Sequence, residues 1–285
     1  MVSEEPSPNS PRQEPSALEL AVIQLSSSDD VPQNLEAARQ VAAAAGRRGA
    51  QIVVLPENFA YFGPEAGRRA HAERIGDDQA PIQRALFEMA DAANAVVVAG
   101  GMPEASSDPA RPYNTALVVG PGRRLHGAYR KLHLFDVDLA DGTALRESNS
   151  TTPGDETRVL ELAGFRVGLS ICYDVRFPEL YRRLVAAGAE IIVVPAAFTL
   201  HTGKDHWHVL LRARAIESQC YVAAAAQWGT HPGGRKTYGH SLVADPWGTV
   251  IAECSDGVGF RTASVERHHL EEVRRSLPSL RHIKL

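Results

Sequence analysis

The chain has few cysteines and no long apolar run, and both deficits limit what the protein can be. Its 285 residues include three cysteines, Cys172, Cys220 and Cys254. An odd, widely spaced set does not make a disulfide framework or a cysteine-rich zinc site, and a reducing cytosol is expected. No stretch approaches the roughly 18 continuous apolar residues of a membrane-spanning helix, so none is predicted.

Positive charge is too scattered to suggest a polyanionic partner. The formal net charge is −4 and the arginine pairs are dispersed, so neither nucleic acid nor an acidic membrane surface is expected as a partner. The start of the chain is rich in proline, serine and glutamate and lacks the apolar stretch of a signal peptide. Residues 1–16 are predicted to form a disordered tail, and residues 17–285 to form one domain.

Helical signals occur at several places along this domain. Residues 34–46 predict a helix, with Asn34 as its cap and Gly46 as its stop signal. A second helix is predicted over residues 81–93 and a third over residues 205–218. Short apolar segments lie between these helices and predict buried strands.

The alternation of strands and helices predicts an α/β fold. Residues 113–119 and 125–129 flank a Gly-Pro-Gly turn and predict an antiparallel hairpin, while residues 137–153 predict an irregular polar loop. Two architectures fit this pattern. One is a four-layer αββα sandwich of two mixed sheets, and the other is a single doubly wound sheet.

The segment around Cys172 carries the clearest chemical signal. Apolar residues 165–171 predict a buried strand, and Pro178 begins a helix a few residues later. Such a strand-turn-helix junction can hold a nucleophile at a sharp bend, with the N–H of Tyr173 available to a developing oxyanion. Taken alone, Cys172 also fits an inert, buried thiol at the end of a strand.

Two further reactive side chains follow predicted strands. Glu57 comes after the strand at residues 51–55, and Lys131 closes the second strand of the predicted hairpin. A thiol needs a base or a positive neighbour to act as a nucleophile. Glu57 could supply the base, and Lys131 could stabilise a thiolate and an oxyanion. Taken singly, each also fits a surface charge.

The surroundings of these three residues resemble the signatures of a known family. The segments are Leu-Pro-Glu57-Asn-Phe, Tyr-Arg-Lys131-Leu-His and Ile-Cys172-Tyr-Asp-Val-Arg-Phe-Pro-Glu-Leu. In this order they resemble the nitrilase superfamily of carbon-nitrogen hydrolases. The resemblance extends through several later segments, namely Tyr113-Asn114-Thr115, Glu147-Ser-Asn-Ser-Thr, Thr202-Gly-Lys-Asp-His206-Trp207 and Tyr238-Gly-His-Ser.

The resemblance implies a four-layer αββα fold, a homodimer or a higher even homo-oligomer, and no cofactor or metal. It implies that Cys172 is the nucleophile, Glu57 the general base and Lys131 the group that stabilises the tetrahedral intermediate. A second glutamate, Glu147, is expected to orient Lys131, and the Tyr173 N–H to donate to the oxyanion.

Within the superfamily the sequence resembles the Nit branch, which hydrolyses amides of short 2-oxo acids. Four runs, which begin at Glu147, Arg176, Gln219 and Tyr238, resemble enzymes that act on deaminated glutathione, the 2-oxoglutaryl amide of Cys-Gly. They are less similar to omega-amidases, whose substrate is 2-oxoglutaramate. Arg176 is expected to hold a substrate carboxylate, because it lies one turn beyond the nucleophile. Phe198, Thr202 and His206 are expected to contribute to substrate binding. Residues 199–201 depart from both patterns and are candidates for reshaping the pocket.

Other interpretations remain open at this point. His206 and His208 could ligate a metal, but they do not share a helix face and no third ligand is evident. Cys172 could pair with His133, His201 or His240 as in papain-like enzymes. The substrate could be another amide or a carbamoyl compound, and the fold could be a catalytically silent oligomeric binding module.

Overall fold

The computed structural model describes residues 15–138 and 144–284. Most of the predicted tail lies outside these residues, so its disorder stays a prediction. Ser16, at its end, contacts the fold, because its carbonyl oxygen accepts a hydrogen bond from the Arg267 N–H at 2.8 Å. Within the described ranges no helix has the length and apolar character needed to cross a bilayer.

The first of two large sheets is built from six strands. These are β1 (Ala17–Gln24), β2 (Ile52–Leu55), β3 (Val96–Glu104), β4 (Tyr113–Gly120), β5 (Arg124–Arg130) and β16 (Gly259–Glu266). Their order is β16-β1-β2-β3-β4-β5. β1, β2 and β3 are parallel, and the outer pairs are antiparallel. The pairing of β4 with β5 confirms the predicted hairpin.

The second sheet repeats this arrangement. Its strands are β8 (Val159–Leu162), β9 (Phe165–Leu169), β10 (Ile191–Val193), β11 (Tyr221–Ala224), β14 (Leu242–Ala244) and β15 (Val250–Glu253). Their order is β15-β14-β11-β10-β9-β8. β9, β10 and β11 are parallel, with antiparallel neighbours on both sides. Two short hairpins complete the strands: β6 (Asp136–Asp138) with β7 (Ala144–Arg146), and β12 (Trp228–Thr230) with β13 (Lys236–Tyr238).

Within residues 15–138 and 144–284, six α-helices accompany the sheets. They are α1 (Val31–Arg47), α2 (Glu65–Ala70), α3 (Pro81–Ala93), α4 (Pro178–Ala186), α5 (Leu200–Ser218) and α6 (Arg267–Ser276). α1 and α3 pack on the first sheet through Ala21 and Ile23, whereas α4 and α5 cover the second sheet.

Alternate residues of each strand point toward the opposite sheet. Leu20 and Val22 of β1 therefore share one buried core with Val167 and Leu169 of β9. The inward face of each sheet thus packs on the other sheet and its outward face packs on helices. The result is the four-layer αββα sandwich, which rules out the single doubly wound sheet.

The predicted boundaries of the first helix were wrong. α1 begins at Val31, and the Asp30 carboxylate caps it by accepting the Gln33 N–H at 3.0 Å. Asn34 lies inside the helix, where its side chain donates to the Ser28 and Ala60 carbonyl oxygens. Gly46 does not stop the helix. A Cβ there would lie 2.2 Å from the Ala93 carbonyl oxygen, so glycine permits the close contact between α1 and α3.

Two later predictions also need correction. The helix predicted from residue 205 begins at Leu200, because the Thr199 hydroxyl caps it by accepting the Thr202 N–H. Residues 199–201 are therefore a cap and a first turn. The predicted irregular loop contains the β6–β7 hairpin and a short 3₁₀ turn at Glu147–Asn149, while its residues 139–143 lie outside the described residues.

Candidate active site

Glu57 lies where the two sheets meet. It follows the carboxyl end of β2 and is almost completely buried. Its Oε1 accepts hydrogen bonds from Asn114 Nδ2 at 2.9 Å and from Lys131 Nζ at 3.0 Å. Its Oε2 accepts the Ala197 N–H at 3.0 Å, from the segment after β10 in the second sheet. The carboxylate is therefore fixed by groups from both sheets.

A bulge in β3 makes room for this carboxylate. The register of β3 against β4 shifts between Ala99 and Met102, and Gly101 adopts a φ of +69°. A Cβ at Gly101 would lie 2.7 Å from Glu57 Cγ and 2.8 Å from Asn114 Oδ1. Both the backbone conformation and the close approach thus require glycine.

Lys131 is buried directly after β5 and joins two carboxylates. Its Nζ lies 3.0 Å from Glu57 Oε1 and 2.8 Å from Glu147 Oε2. Burial acts against the charged amine, but Glu147 and Glu57 outweigh it and raise the pKa of Lys131 above its usual range. Lys131 therefore remains an ammonium group throughout the physiological pH range.

Glu147 completes this cluster from the turn after β7. Its Oε2 accepts the Phe135 N–H at 2.7 Å, and its Oε1 accepts Asn114 Nδ2 at 3.1 Å. Burial would raise its pKa, but the charges of Lys131 and Arg68 outweigh burial and lower the pKa of Glu147 to about 2. Glu147 and Lys131 thus form a buried ion pair.

Cys172 lies at the predicted bend after β9, with a φ of +47°. Its own N–H donates to the Pro195 carbonyl oxygen at 2.8 Å. Asp174 holds the bend, because its Oδ2 accepts the Ile171 N–H at 2.9 Å and the Tyr129 hydroxyl at 2.7 Å. A left-handed conformation at a non-glycine residue stores strain and is common at functional sites.

The groups around Cys172 determine its resting state. Burial and the neighbouring Glu57 carboxylate raise the pKa of the Cys172 thiol well above its usual range, although Lys131 opposes them. The thiol is therefore protonated at rest and needs a base in order to attack. Tyr173, whose N–H is the predicted oxyanion donor, follows Cys172 directly in the short 3₁₀ turn Cys172–Arg176.

One cavity of about 550 Å³ contains Cys172, Glu57, Lys131 and Glu147 in its lining. Among the described residues, five cationic side chains line it, namely Arg68, Arg69, Lys131, Arg146 and Arg235, against the three carboxylates of Glu57, Glu65 and Glu147. This excess of positive charge suits an anionic ligand.

The four residues predicted to bind substrate lie apart from this cavity lining. Arg176 places its guanidinium 5.0 Å from the Phe198 ring centre, and its Nη1 lies 3.3 Å from His206 Nδ1. The structure therefore brings Arg176, Phe198 and His206 together beside the Cys172 bend. The Thr202 hydroxyl lies 2.8 Å from the Thr199 hydroxyl at the start of α5.

The histidines weighed in the sequence have other partners. His133 Nδ1 lies 2.7 Å from Asp174 Oδ1, while His240 Nδ1 lies 3.0 Å from Glu253 Oε1. His201 lines a second, neighbouring cavity. His208 Nε2 lies 2.8 Å from the same Glu253 oxygen, so the ligand atoms of His208, His240 and Glu253 lie within 4.8 Å of one another. The two contacts with Glu253 link α5 to β15 and to the segment before β14.

Two contributors to the site were missed in the sequence. Asn114 bridges Glu57 and Glu147, but in the sequence it appears only as part of the Tyr-Asn-Thr motif. Arg68 lies on the six-residue helix α2, which sequence patterns did not predict. In the sequence Arg68 is part of an Arg-Arg pair, a pattern typical of a solvated surface, yet the structure leaves it only 8% exposed.

An αββα sandwich with a thiol, two carboxylates and an ammonium group around one cavity defines the class of protein, a nitrilase-type hydrolase fold. The sequence matches the carbon-nitrogen hydrolase family over residues 19–275. The chain belongs to this family.

Relatives and solved structures agree with this assignment. A deaminated glutathione amidase of Synechocystis is 42% identical over 265 residues, covering 92% of this chain and 96% of the relative. The crystal structure of the Caenorhabditis elegans NitFhit protein superimposes with a TM-score of 0.88 at 37% identity, covering 95% of this chain and 66% of that one. Saccharomyces cerevisiae Nit3, of the nitrilase superfamily, gives a TM-score of 0.84 at 29% identity, covering 92% and 95%.

Proposed function

We propose that this protein hydrolyses deaminated glutathione to 2-oxoglutarate and Cys-Gly through a thioester on Cys172. The observation that carries the proposal is the buried cluster of Glu57, Lys131 and Glu147 in one cavity with the Cys172 thiol. The name of the 42%-identical Synechocystis relative supports this substrate. Deaminated glutathione bears two carboxylates at neutral pH, and the cationic excess of the cavity suits such an anion.

The first half of the reaction forms the acyl-enzyme. Glu57 takes the proton of the Cys172 thiol, and the sulfur attacks the amide carbonyl carbon. The Lys131 ammonium and the Tyr173 N–H stabilise the negative charge that develops on the carbonyl oxygen. The C–N bond then breaks as Glu57 gives its proton to the nitrogen, and Cys-Gly leaves while the thioester remains.

The second half releases the acid. Water gives a proton to Glu57 and attacks the thioester carbonyl carbon, which again places charge on the oxygen. Collapse of this intermediate expels the Cys172 sulfur, which recovers the proton from Glu57. Glu147 keeps Lys131 charged and oriented in both halves, since both of its oxygens accept hydrogen bonds from the ammonium.

Arg176 is the proposed ligand of the carboxylate in the 2-oxo acyl group. The support for this role is its place at the end of the short turn that begins at Cys172. Its guanidinium lies over Phe198 and beside His206, and Thr202 lies at the start of α5. Substitution Arg176→Lys would keep the charge but lose the two-pronged geometry of the guanidinium. An unchanged KM in this variant would exclude Arg176 as the carboxylate ligand.

The proposed function is tested by measuring 2-oxoglutarate release from deaminated glutathione and from 2-oxoglutaramate, with Cys172→Ala as the control. Faster hydrolysis of deaminated glutathione, lost in the variant, supports the proposal. A preference for 2-oxoglutaramate would make the protein an omega-amidase. If neither compound is hydrolysed, two alternatives remain: the substrate is another amide or a carbamoyl compound, or the protein is a catalytically silent binding module.

A homodimer or higher even homo-oligomer is part of the same proposal. Val209 and Ile216 on α5 are 67% and 47% exposed, and Trp247 is 60% exposed. Gly248, the residue after Trp247, lies against Ile216, because a Cβ added at Gly248 would be 2.5 Å from Ile216 Cγ1. Ile216 and Trp247 therefore belong to one surface. Burial of this surface in a partner chain is expected, and light scattering on Val209→Glu would show dissociation. A cytosolic location stays a prediction from the sparse cysteine content.

A further inference from the structure

Arg68 is a buried cation whose hydrogen-bonding capacity is only partly used. It lies on α2, lines the cavity of Cys172 and is 8% exposed. Its Nη1 donates to the Thr151 hydroxyl at 3.2 Å. Among residues 15–138 and 144–284, its Nε and Nη2 have no hydrogen-bond partner. Leaving charged donors buried without an acceptor costs free energy, so the site is built to receive one.

The free donors of Arg68 indicate the chemistry of the missing acceptor. Nε and one terminal nitrogen of a guanidinium form a parallel pair of N–H groups that matches the two oxygens of a carboxylate. Other cations of the cavity are less suited to this task. Arg235 has only one buried donor without a partner among the described residues, its Nε. Arg146 is paired with Asp138 at 2.5 Å, and Arg69 is exposed.

Arg68 lines the same cavity as Glu57 and Glu147. Glu57 has to return a proton to the departing nitrogen, so the leaving group lies toward Glu57 and its neighbour Glu147. Arg68 is close enough to Glu147 for its charge to act on that carboxylate. Arg176, by contrast, contacts Phe198 and His206 and is absent from the lining of this cavity.

We propose that Arg68 binds the terminal carboxylate of the leaving group, and so selects amides of amino acids or short peptides over amides of ammonia. The inference rests on the proposed function and adds a second carboxylate site to it. From the amide nitrogen, a dipeptide extends at most about 7 Å, so its terminal carboxylate remains within reach of the surrounding cavity.

The test pairs removal of the arginine with removal of the carboxylate. Values of kcat/KM are measured for deaminated glutathione, for its analogue ending in glycinamide, and for 2-oxoglutaramate. The wild-type protein is expected to prefer the carboxylate substrate over the glycinamide analogue roughly 10- to 100-fold, the range of a charged hydrogen bond. In Arg68→Gln this preference is expected to disappear, because the two changes remove the same contact.

Two further variants separate binding from structure. Arg68→Lys keeps the positive charge near Glu147 but loses the paired donors, so part of the preference is expected to remain. Arg74→Gln makes the same change of charge at an exposed position outside the cavity lining and is expected to keep the full preference. Hydrolysis of 2-oxoglutaramate, whose leaving group has no carboxylate, is expected to stay within about 3-fold of wild type in Arg74→Gln and to fall less than hydrolysis of deaminated glutathione in the two Arg68 variants.

Each outcome has a distinct meaning. If Arg68→Gln keeps the wild-type preference, or if all three substrates lose activity equally, Arg68 does not bind the leaving group and the inference is wrong. Equal losses would show that Arg68 acts through Glu147. If the wild-type protein hydrolyses neither 2-oxo amide, the proposed function itself is wrong and the inference fails with it.

Discussion

Substitution of Gly101 by alanine tests whether the β3 bulge positions the general base. The added methyl group would approach Glu57 Cγ to 2.7 Å and Asn114 Oδ1 to 2.8 Å. Few real Cβ contacts are shorter than 3.4 Å, so Glu57 has to move by about 0.7 Å. The Glu57 carboxylate would then shift relative to Cys172 and Lys131.

The expected effect on catalysis is larger than the effect on stability. Holding an alanine at a φ of +69° costs about 1–2 kcal/mol, and the contacts with Glu57 and Asn114 add to this. A displacement approaching 1 Å at a reacting group can lower the rate about 100-fold. We therefore expect kcat/KM of Gly101→Ala to fall roughly 10- to 100-fold while the protein still folds.

Gly122→Ala is the matched control for this experiment. Gly122 has a φ of +72°, but a Cβ there would have no neighbour within 4 Å. Both variants thus carry the backbone strain, and only Gly101→Ala carries the clash with Glu57. Steady-state hydrolysis and thermal unfolding are measured for both. Wild-type kcat/KM in Gly101→Ala, or an equal loss in Gly122→Ala, would refute the positioning role of the bulge.

Three further predictions follow from the same cluster. Cys172→Ser should abolish hydrolysis and acylation detected by mass spectrometry, whereas Cys254→Ser should retain both; activity in the first variant would exclude Cys172 as the nucleophile. Lys131→Met leaves two carboxylates buried without their cation and should lower the free energy of unfolding by about 3–5 kcal/mol in urea titrations; an unchanged value would contradict the buried ion pair. Because the pKa of Glu147 is lowered to about 2, its ionisation stabilises the fold above about pH 4.5, and this contribution is lost as the pH falls toward 2. Between these pH values the free energy of unfolding should therefore fall less in Glu147→Gln than in the wild-type protein. Parallel plots of unfolding free energy against pH for the two proteins would contradict the lowered pKa of Glu147.

The local pattern of the sequence was sufficient for much of the fold. β2, α3, the β4–β5 hairpin and the bend at Cys172 were predicted correctly, because their apolar spacing and turn residues act over a few neighbouring positions. The boundaries of α1 and α5 were wrong. Capping by Asp30 and Thr199 decides where these helices begin. The spacing of apolar residues does not show where a cap lies, so it did not predict these boundaries.

The motifs around Glu57, Lys131 and Cys172 were sufficient to identify the family, which the match over residues 19–275 confirms. Their spacing along the chain does not show that the side chains meet. In the structure, Glu57 and Lys131 are 74 positions apart and their side-chain atoms lie 3.0 Å apart. The pairing of strands brings them together, and it depends on contacts distributed over both sheets.

The sequence by itself determined the local elements, the family and the reactive residue types. Only the tertiary structure decided that Gly101 makes room for Glu57, that Asn114 bridges two carboxylates and that Arg68 is a buried cation with free donors. The physical reason is that burial, close contact and an unsatisfied hydrogen bond are properties of neighbours in space. Those neighbours come from distant parts of the chain, and local periodicity carries no information about them.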